Sequence, residues 1–215
     1  MLEQTQKFNQ TKNFYDQIAD VHNLSFKVNG YRQSLEKYLV NKNLDLPENF
    51  RALDAGCGTG MMTSALYRSG LRPQQTIAFD LSGKSLEVAR KEFIEDKKVV
   101  HNAIRYVQGN ILSMPFDDNS FDLILTCGVL EYVPLDEGFT EIQRVLKPAG
   151  YVVFVPIRPS LMGKVLERMY SFKTPKTRQV LRTVHSHFNV VEHHTFPIVE
   201  PISWSKSLFL LQKNN

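Results

Sequence analysis

A glycine-rich turn between a short apolar run and a helix-like pattern constrains the fold of this chain more than any other feature. Residues 51–60 read Arg-Ala-Leu-Asp-Ala-Gly-Cys-Gly-Thr-Gly, and apolar side chains then recur at helical spacing through residues 61–66. Glycines permit positive φ angles and let a ligand approach the backbone. The start of a helix attracts a carboxylate or phosphate. We therefore predict a buried strand, a ligand-binding turn and a helix.

An acid at the end of the next strand narrows the class of ligand. The apolar stretch Thr76–Asp80 ends on a carboxylate twenty residues after Gly60, the position from which an acid accepts hydrogen bonds from ribose hydroxyls. The glycine spacing departs from the dinucleotide pattern G-x-G-x-x-G, because the third glycine position of that pattern is Met61. The sequence therefore favours a nucleoside ligand and argues against a pyrophosphate.

Strand-like and helix-like segments alternate along the middle of the chain. Ser82 is placed to cap a helix, and Phe121–Thr126 is almost wholly apolar, as a parallel strand covered on both faces must be. Such alternation requires right-handed crossovers and a parallel sheet. Further segments are predicted as strands at 104–107, 151–155, 190–196 and 208–211, and as helices at 139–146, 161–170 and 178–187.

The N-terminal region differs from the rest of the chain. Residues 1–11 are polar, and we expect them to be frayed. Two helical patterns follow, from Phe14 to Ile18 and from Tyr31 to Leu39, with a turn at 28–30 between them.

Composition limits the remaining functional classes. The chain has 215 residues, of which 42% are hydrophobic, which is enough for one well-buried α/β domain. Its net charge of +4 is mild and no basic arm appears, so we expect no nucleic-acid partner. Cys57 and Cys127 are read as reduced thiols. With no apolar stretch of membrane-span length and no signal peptide, we expect a cytoplasmic protein with no stable membrane insertion.

Five sequence blocks, taken together, resemble the class I S-adenosylmethionine-dependent methyltransferases, and most closely their small-molecule branch that includes ubiquinone/menaquinone biosynthesis. The resemblance covers about residues 12–156. It implies a Rossmann-like α/β fold with a seven-stranded, mostly parallel sheet, a closing antiparallel hairpin, helices on both faces and an N-terminal helical lid. The lid would span 1–45 and the methyltransferase domain 46–215. The blocks are 53–60, 79–82, 109–116, 119–125 and 146–150.

The resemblance also implies a cofactor, S-adenosyl-L-methionine, and a set of residues that bind it. Position 110 is usually Asp in relatives, where it accepts from the adenine amino group; here it is Asn, whose carbonyl can accept the same bond. A turn Asn that caps its own backbone is the alternative. The predicted cofactor-binding residues are Tyr15, Asp54, Ala55, Gly56, Cys57, Gly58, Gly60, Asp80, Leu81, Asn110, Ile111 and Cys127.

Methyl transfer from a sulfonium requires alignment and exclusion of water more than it requires side-chain chemistry. If the acceptor needs a base, the candidates are Tyr15, Glu131 and Tyr132. We predict no metal, because no acidic cluster resembles a Mg²⁺-dependent catechol site. The histidines at 185, 187, 193 and 194 also have poor chelating spacing. The expected acceptor is a small, partly apolar metabolite. Apolar residues between Leu161 and Phe172 either line its pocket or form the core face of a helix.

Two other functions remain open at this point. A non-catalytic regulator that binds S-adenosylmethionine would carry the same blocks. An NAD(P)-dependent oxidoreductase would share the strand, turn and acid. The sequence leaves open which atom of the acceptor is methylated and the oligomeric state.

Overall fold

The computed structural model describes residues 2–214, and for residues 2–5 and 7 it describes the backbone. The centre of the fold is a seven-stranded sheet. The strand order is β3-β2-β1-β4-β5-β7-β6, in which β7 runs antiparallel to both neighbours and the other pairs are parallel. This confirms the predicted fold class. The strands are β1 (Arg51–Ala55), β2 (Gln75–Asp80), β3 (Ile104–Gln108), β4 (Phe121–Cys127), β5 (Leu146–Val155), β6 (Asn189–His194) and β7 (Leu208–Gln212).

Seven α-helices cover the two faces of the sheet or connect its strands. Three short 3₁₀ turns, at 101–103, 130–132 and 201–204, complete the described elements. The helices are α1 (Leu2–Val28), α2 (Tyr31–Val40), α3 (Met61–Arg68), α4 (Gly83–Glu95), α5 (Leu135–Val145), α6 (Leu161–Tyr170) and α7 (Thr177–His187).

The central strand β4 shows why the sheet needs helices on both sides. Ile124 packs into a cluster with Phe139 of α5, whereas its neighbours Leu123 and Leu125 pack into a second cluster with Leu35 of α2. Successive strand side chains point to opposite faces, and all three of these β4 residues are fully buried. The strand is apolar throughout because both of its faces are covered.

Two local predictions are wrong. Residues 1–11 were expected to be frayed, but α1 is one helix from Leu2 to Val28. The helix predicted at 139–146 ends at Val145, because Leu146 already pairs with Phe121 of β4. Pro148 and Gly150 then fall inside β5 rather than before it, next to a register shift between the two strands.

The two N-terminal helices are attached to the sheet in different ways. Leu35 and Leu39 of α2 are buried in the same cluster as the strands. In contrast, α1 is held against α4 by polar contacts, with Asp16 accepting from Ser82 Oγ at 2.6 Å and Glu92 accepting from Asn23 at 2.7 Å. From α1, the partly buried Phe26 packs against this cluster. A lid boundary at residue 45 stays a prediction.

Among residues 2–214, no helix combines the length and the apolar character that crossing a bilayer would need.

Candidate active site

A cavity of about 530 Å³ opens at the carboxyl edge of the parallel strands. Ligands bind at this edge in open α/β sheets, and the volume lies in the usual range for small-molecule sites. The cavity is bounded by the glycine turn, the segments after β2, β3 and β4, and the helices α1 and α6. The predicted residues that line it are Tyr15, Gly56, Cys57, Gly58, Asp80, Leu81, Asn110, Ile111, Cys127 and Tyr132.

Two glycines of the turn have different tasks. Gly56 and Gly58 both have positive φ angles, 77° and 53°. A Cβ on Gly56 would collide with Val129, so this glycine is needed for packing. A Cβ on Gly58 would have only His22 Cε1 within 4 Å, at 3.9 Å. Gly58 therefore leaves the space above the turn free for a ligand.

Asp80 stands at the end of β2 with both carboxylate oxygens on backbone N–H groups. Oδ2 accepts from Gly58 at 2.7 Å and Oδ1 accepts from Ser82 at 2.8 Å. Each carboxylate oxygen has a second lone pair, so Asp80 still has capacity for hydroxyl groups of a ligand in the cavity. Burial raises the pKa of this carboxyl. Its two hydrogen bonds make Asp80 the link between the glycine turn and the start of α4.

Asp54 lies beneath the turn rather than beside the cavity. Its Oδ2 accepts from the backbone N–H of Thr63 at 2.9 Å and from the Thr63 hydroxyl at 2.7 Å, which satisfies a donor in the first turn of α3. Its Oδ1 is buried and has no hydrogen-bond partner in the described part of the chain. Burial raises the pKa of Asp54 to about 7, and the negative charge of Asp80 adds to this effect.

Four of the predicted site residues do not line the cavity, and their role in the site stays a prediction. Asp54 is directed at Thr63, and Ala55 is fully buried in β1. A Cβ on Gly60 would collide with the ring of Phe93, so Gly60 is required by packing. The fourth is Glu131, a predicted base. It is 8% exposed, and its Oε1 accepts from the backbone N–H of Ile157 at 2.6 Å.

Asn110 lines the cavity, but its carbonyl is already engaged. The side-chain oxygen accepts from the backbone N–H of Leu112 at 2.9 Å, the geometry of a turn Asn. Because Leu112 can only donate there, the amide oxygen is fixed toward the backbone. The oxygen has a second lone pair, so an adenine amino group would share this oxygen with the turn.

Tyr15 of α1 and Tyr132 meet across the cavity. Their hydroxyl oxygens are 2.8 Å apart, and Tyr132 donates to the backbone carbonyl of Tyr170 at 3.0 Å, so Tyr15 is the donor to Tyr132. Burial raises the pKa of both phenols. Both therefore stay protonated near neutral pH. They are hydrogen-bond donors, which disfavours the predicted role as a general base.

Among the cavity residues that sequence reasoning missed are two basic side chains, His22 and Lys206. Burial, with the nearby charge of Lys206, lowers the pKa of His22 to about 4, so its ring is neutral. His22 follows Tyr15 by seven residues and precedes Phe26 by four, a spacing that puts all three on one helical face. That spacing was a usable signal. Nothing in the sequence around Lys206 distinguishes it from a surface lysine.

Helix α6 presents its apolar residues to the cavity and to solvent. Gly163 is the only buried residue of α6. The alternative in which its apolar residues form the core face of a helix is therefore excluded. Leu161 is 84% exposed and Val165 45% exposed. The other apolar residues of the predicted set line the cavity, namely Met162, Leu166, Met169 and Phe172.

Within residues 2–214, no three His, Cys, Asp or Glu side chains gather in a way that would hold a metal ion. A metal-free site stays a prediction.

Comparison with known proteins supports the interpretation of the fold. The family profile described as "Methyltransferase domain" matches residues 53–154. The ubiquinone/menaquinone biosynthesis C-methyltransferase UbiE of Shewanella frigidimarina is 34% identical over 166 residues, which is 74% of this chain and 61% of that protein. Sterol 24-C-methyltransferase of Clavispora lusitaniae is 29% identical over 154 residues, 65% of this chain and 40% of that protein. The chain thus spans less than two thirds of the length of both relatives.

A solved structure shares the fold at low sequence identity. Geranyl diphosphate C-methyltransferase from Streptomyces coelicolor, determined with Mg²⁺, geranyl-S-thiolodiphosphate and S-adenosyl-L-homocysteine, is 18% identical. The match has a TM-score of 0.66 and covers 83% of this chain and 74% of that one.

Proposed function

We propose that this chain, of which residues 53–154 match a methyltransferase-domain profile, is a class I S-adenosylmethionine-dependent methyltransferase that transfers a methyl group to a small, partly apolar metabolite. The observation that carries the proposal is the cavity over Gly58, with the Asp80 carboxylate at its edge. A nucleoside with a short polar chain fits that arrangement.

The residues around the turn fit the cofactor. Gly58 leaves room above the backbone, and Asp80 has lone pairs for two ribose hydroxyls. Ile111 and Leu81 supply apolar surface for the base, and both line the cavity beside Asn110. When bound, S-adenosyl-L-methionine would supply an activated methyl group.

The chain's own residues would position the acceptor and exclude water. Tyr15 and Tyr132 close one wall of the cavity through their shared hydrogen bond. Met162 and Leu166 of α6 line another wall and offer apolar contact to an acceptor. Alignment and desolvation of this kind account for much of the rate in transfers that need no strong base.

The first experiment tests the cofactor. Calorimetric titration with S-adenosylhomocysteine and, separately, with NAD should give binding of the former only. The oxidoreductase alternative predicts the reverse result. Met61 at the third glycine position of the dinucleotide pattern is the residue that speaks against it.

A second experiment separates an enzyme from a regulator that binds the same cofactor. The protein is incubated with labelled S-adenosyl-L-methionine and a panel of phenols, quinols and isoprenoid compounds, and transfer of label is measured. Transfer to one class supports the proposal. Binding of the cofactor without transfer to any class would favour the regulator. Two apolar cavity residues on α6, Met162 and Leu166, are the observation that favours a partly apolar acceptor.

A further inference from the structure

A buried lysine lines the cavity beside Gly128, at the end of β4. Lys206 lines the cavity and is only 5% exposed, although lysine is rarely buried without a partner. Its position is set by backbone pairing: its N–H donates to the carbonyl of Ile202 at 2.9 Å, and it forms an isolated antiparallel bridge with Ile157. These two backbone contacts fix the position of the Lys206 main chain.

The surroundings of Lys206 leave room for its ammonium, which interacts with the Cys127 thiol. Gly128 has a φ of 67°, and a Cβ there would lie 3.0 Å from Lys206 Nζ, so the glycine makes space for the charge. In the described part of the chain, the Nζ atom takes part in no salt bridge with a carboxylate. One acid, Glu131, acts on Lys206 through charge, and one oxygen of Glu131 accepts from the Ile157 N–H.

The sheet order places Lys206 at the acceptor end of the cavity. Asp80 ends β2, whereas the Lys206 ammonium lies beside Gly128 at the end of β4, and strand β1 lies between them. Neighbouring strands are about 4.8 Å apart, so the strand ends that carry the two charged groups are separated by about 10 Å along the sheet edge. If the nucleoside is bound at Asp80, as in the proposed function, Lys206 meets the other reactant.

We propose that Lys206 binds an anionic oxygen of the methyl acceptor, such as a carboxylate, and that the acceptor is therefore an organic anion with an apolar body. A buried cation is costly unless it is paired, and charge-assisted hydrogen bonds to an oxyanion are the strongest pairing that a lysine makes. The apolar body is matched by Met162 and Leu166, which line the same cavity. The inference rests on the proposed function and names the chemistry of its acceptor.

The test compares two eight-carbon probes that differ in charge. With S-adenosylhomocysteine at saturation, binding of octanoate and of octan-1-ol is measured by ligand-observed NMR at pH 7.5. The wild-type protein should bind octanoate at least tenfold more tightly. Lys206→Met should lose this preference and Lys206→Arg should keep it, because both variants retain length but only Arg retains the charge. Lys164→Met, on the exposed face of α6, is the control for net charge and should behave as wild type.

The affinity for S-adenosylhomocysteine, measured for each variant, makes the outcomes distinct. The inference requires that Lys206→Met bind S-adenosylhomocysteine within about twofold of wild type, which also shows that the variant is folded. Equal binding of the two probes by wild type would overturn the inference. A large loss of S-adenosylhomocysteine affinity in folded Lys206→Met would also overturn it and assign the lysine to the cofactor's own carboxylate. Failure of wild type to bind S-adenosylhomocysteine would instead refute the proposed function.

Discussion

At the scale of single residues, Gly58 offers a direct test of where the ligand lies. Gly58→Val puts a side chain into the open space above the turn and should weaken binding of S-adenosylhomocysteine by more than tenfold in a calorimetric titration. Gly70→Val is the matched control. Gly70 also has a positive φ, 96°, and nothing within 4 Å of its Cβ position, but it does not line the cavity. Both variants place Val at a positive φ, and the angle at Gly70 lies further from the left-handed helical region than that at Gly58, so strain should cost the control at least as much. A loss of binding specific to Gly58 therefore reports the ligand. Equal losses would contradict the placement.

A substitution at Asn110 is predicted to increase the affinity for S-adenosylhomocysteine. Asn110→Asp would keep one oxygen on the Leu112 N–H and free the second oxygen to accept from the adenine amino group. A hydrogen bond to a charged group contributes about 1.5 to 3 kcal/mol, so affinity for S-adenosylhomocysteine should rise by roughly tenfold. Asn102→Asp, an exposed change of the same charge, should have no effect. Weaker binding by Asn110→Asp would show that the base lies elsewhere.

The raised pKa of Asp54 predicts how the stability of the folded protein depends on pH. Its pKa is raised to about 7 from an ordinary value of 3.8, so between these values the folded state holds a proton that the unfolded state has lost. Stability contributed by this group therefore falls as pH rises through that window. Asp54→Asn removes the titration. The melting temperature of Asp54→Asn minus that of wild type should become more positive by roughly 5 °C between pH 5 and pH 8. A difference that stays constant with pH would refute the assignment.

At the scale of elements, the contacts between α1 and α4 predict that the helix acts as a lid. Asp16 accepts from Ser82 Oγ at 2.6 Å and from the Lys84 N–H at 3.3 Å, close to where Ser82 caps α4. Asp16→Ala should loosen the helix, raise the KM for the cofactor severalfold and increase hydrogen exchange in α1. Asp20→Ala, on the exposed side of α1, is the control. Unchanged exchange in Asp16→Ala would mean that other contacts hold the lid.

The elements also show what the sequence could and could not predict. The bounds of α6 were predicted to the residue, because Ser160 caps the helix through the Gly163 N–H and its apolar spacing is regular. The start of β5 was misplaced, because Pro148 and Gly150 usually interrupt a strand and only the pairing of Leu146 with Phe121 overrides that preference.

The site was predictable where local sequence determines it and not where distant segments meet. Gly58 and Asp80 could be assigned because both positions follow from strand-to-helix geometry. Lys206 is about 80 residues from Gly128 in sequence, and only the pairing of β5 with β7 brings it to the cavity. The engagement of Asn110 by Leu112 depends on the conformation of a turn, for which the sequence left two alternatives.

At the scale of the whole molecule, the sheet should fold without α1. A protein that starts at Gly30 keeps α2, including Tyr31, whose hydroxyl lies 2.8 Å from Ser205 Oγ. We expect it to retain a cooperative melting transition and the circular dichroism of a mixed α/β protein, with turnover abolished and S-adenosylhomocysteine bound more weakly. The reason is that α2 buries Leu35, Tyr38 and Leu39 in the core of the sheet, whereas α1 adds the partly buried Phe26 to that cluster and is tied to α4 by hydrogen bonds. Loss of the cooperative transition would show that α1 is part of the core, and full turnover would exclude a lid.

The order of the strands has a consequence for synthesis on the ribosome. β6 pairs only with β7, and β7 is inserted between β5 and β6 although it is made after both. While the chain is being translated, β6 therefore has no partner until residues 208–212 have emerged. The edge of β5 that pairs with β7 stays unpaired until the same residues have emerged. Unpaired edges are where nascent chains aggregate. Lys206 enters the cavity in the same step, so the charge at the acceptor end is assembled among the last parts of the molecule.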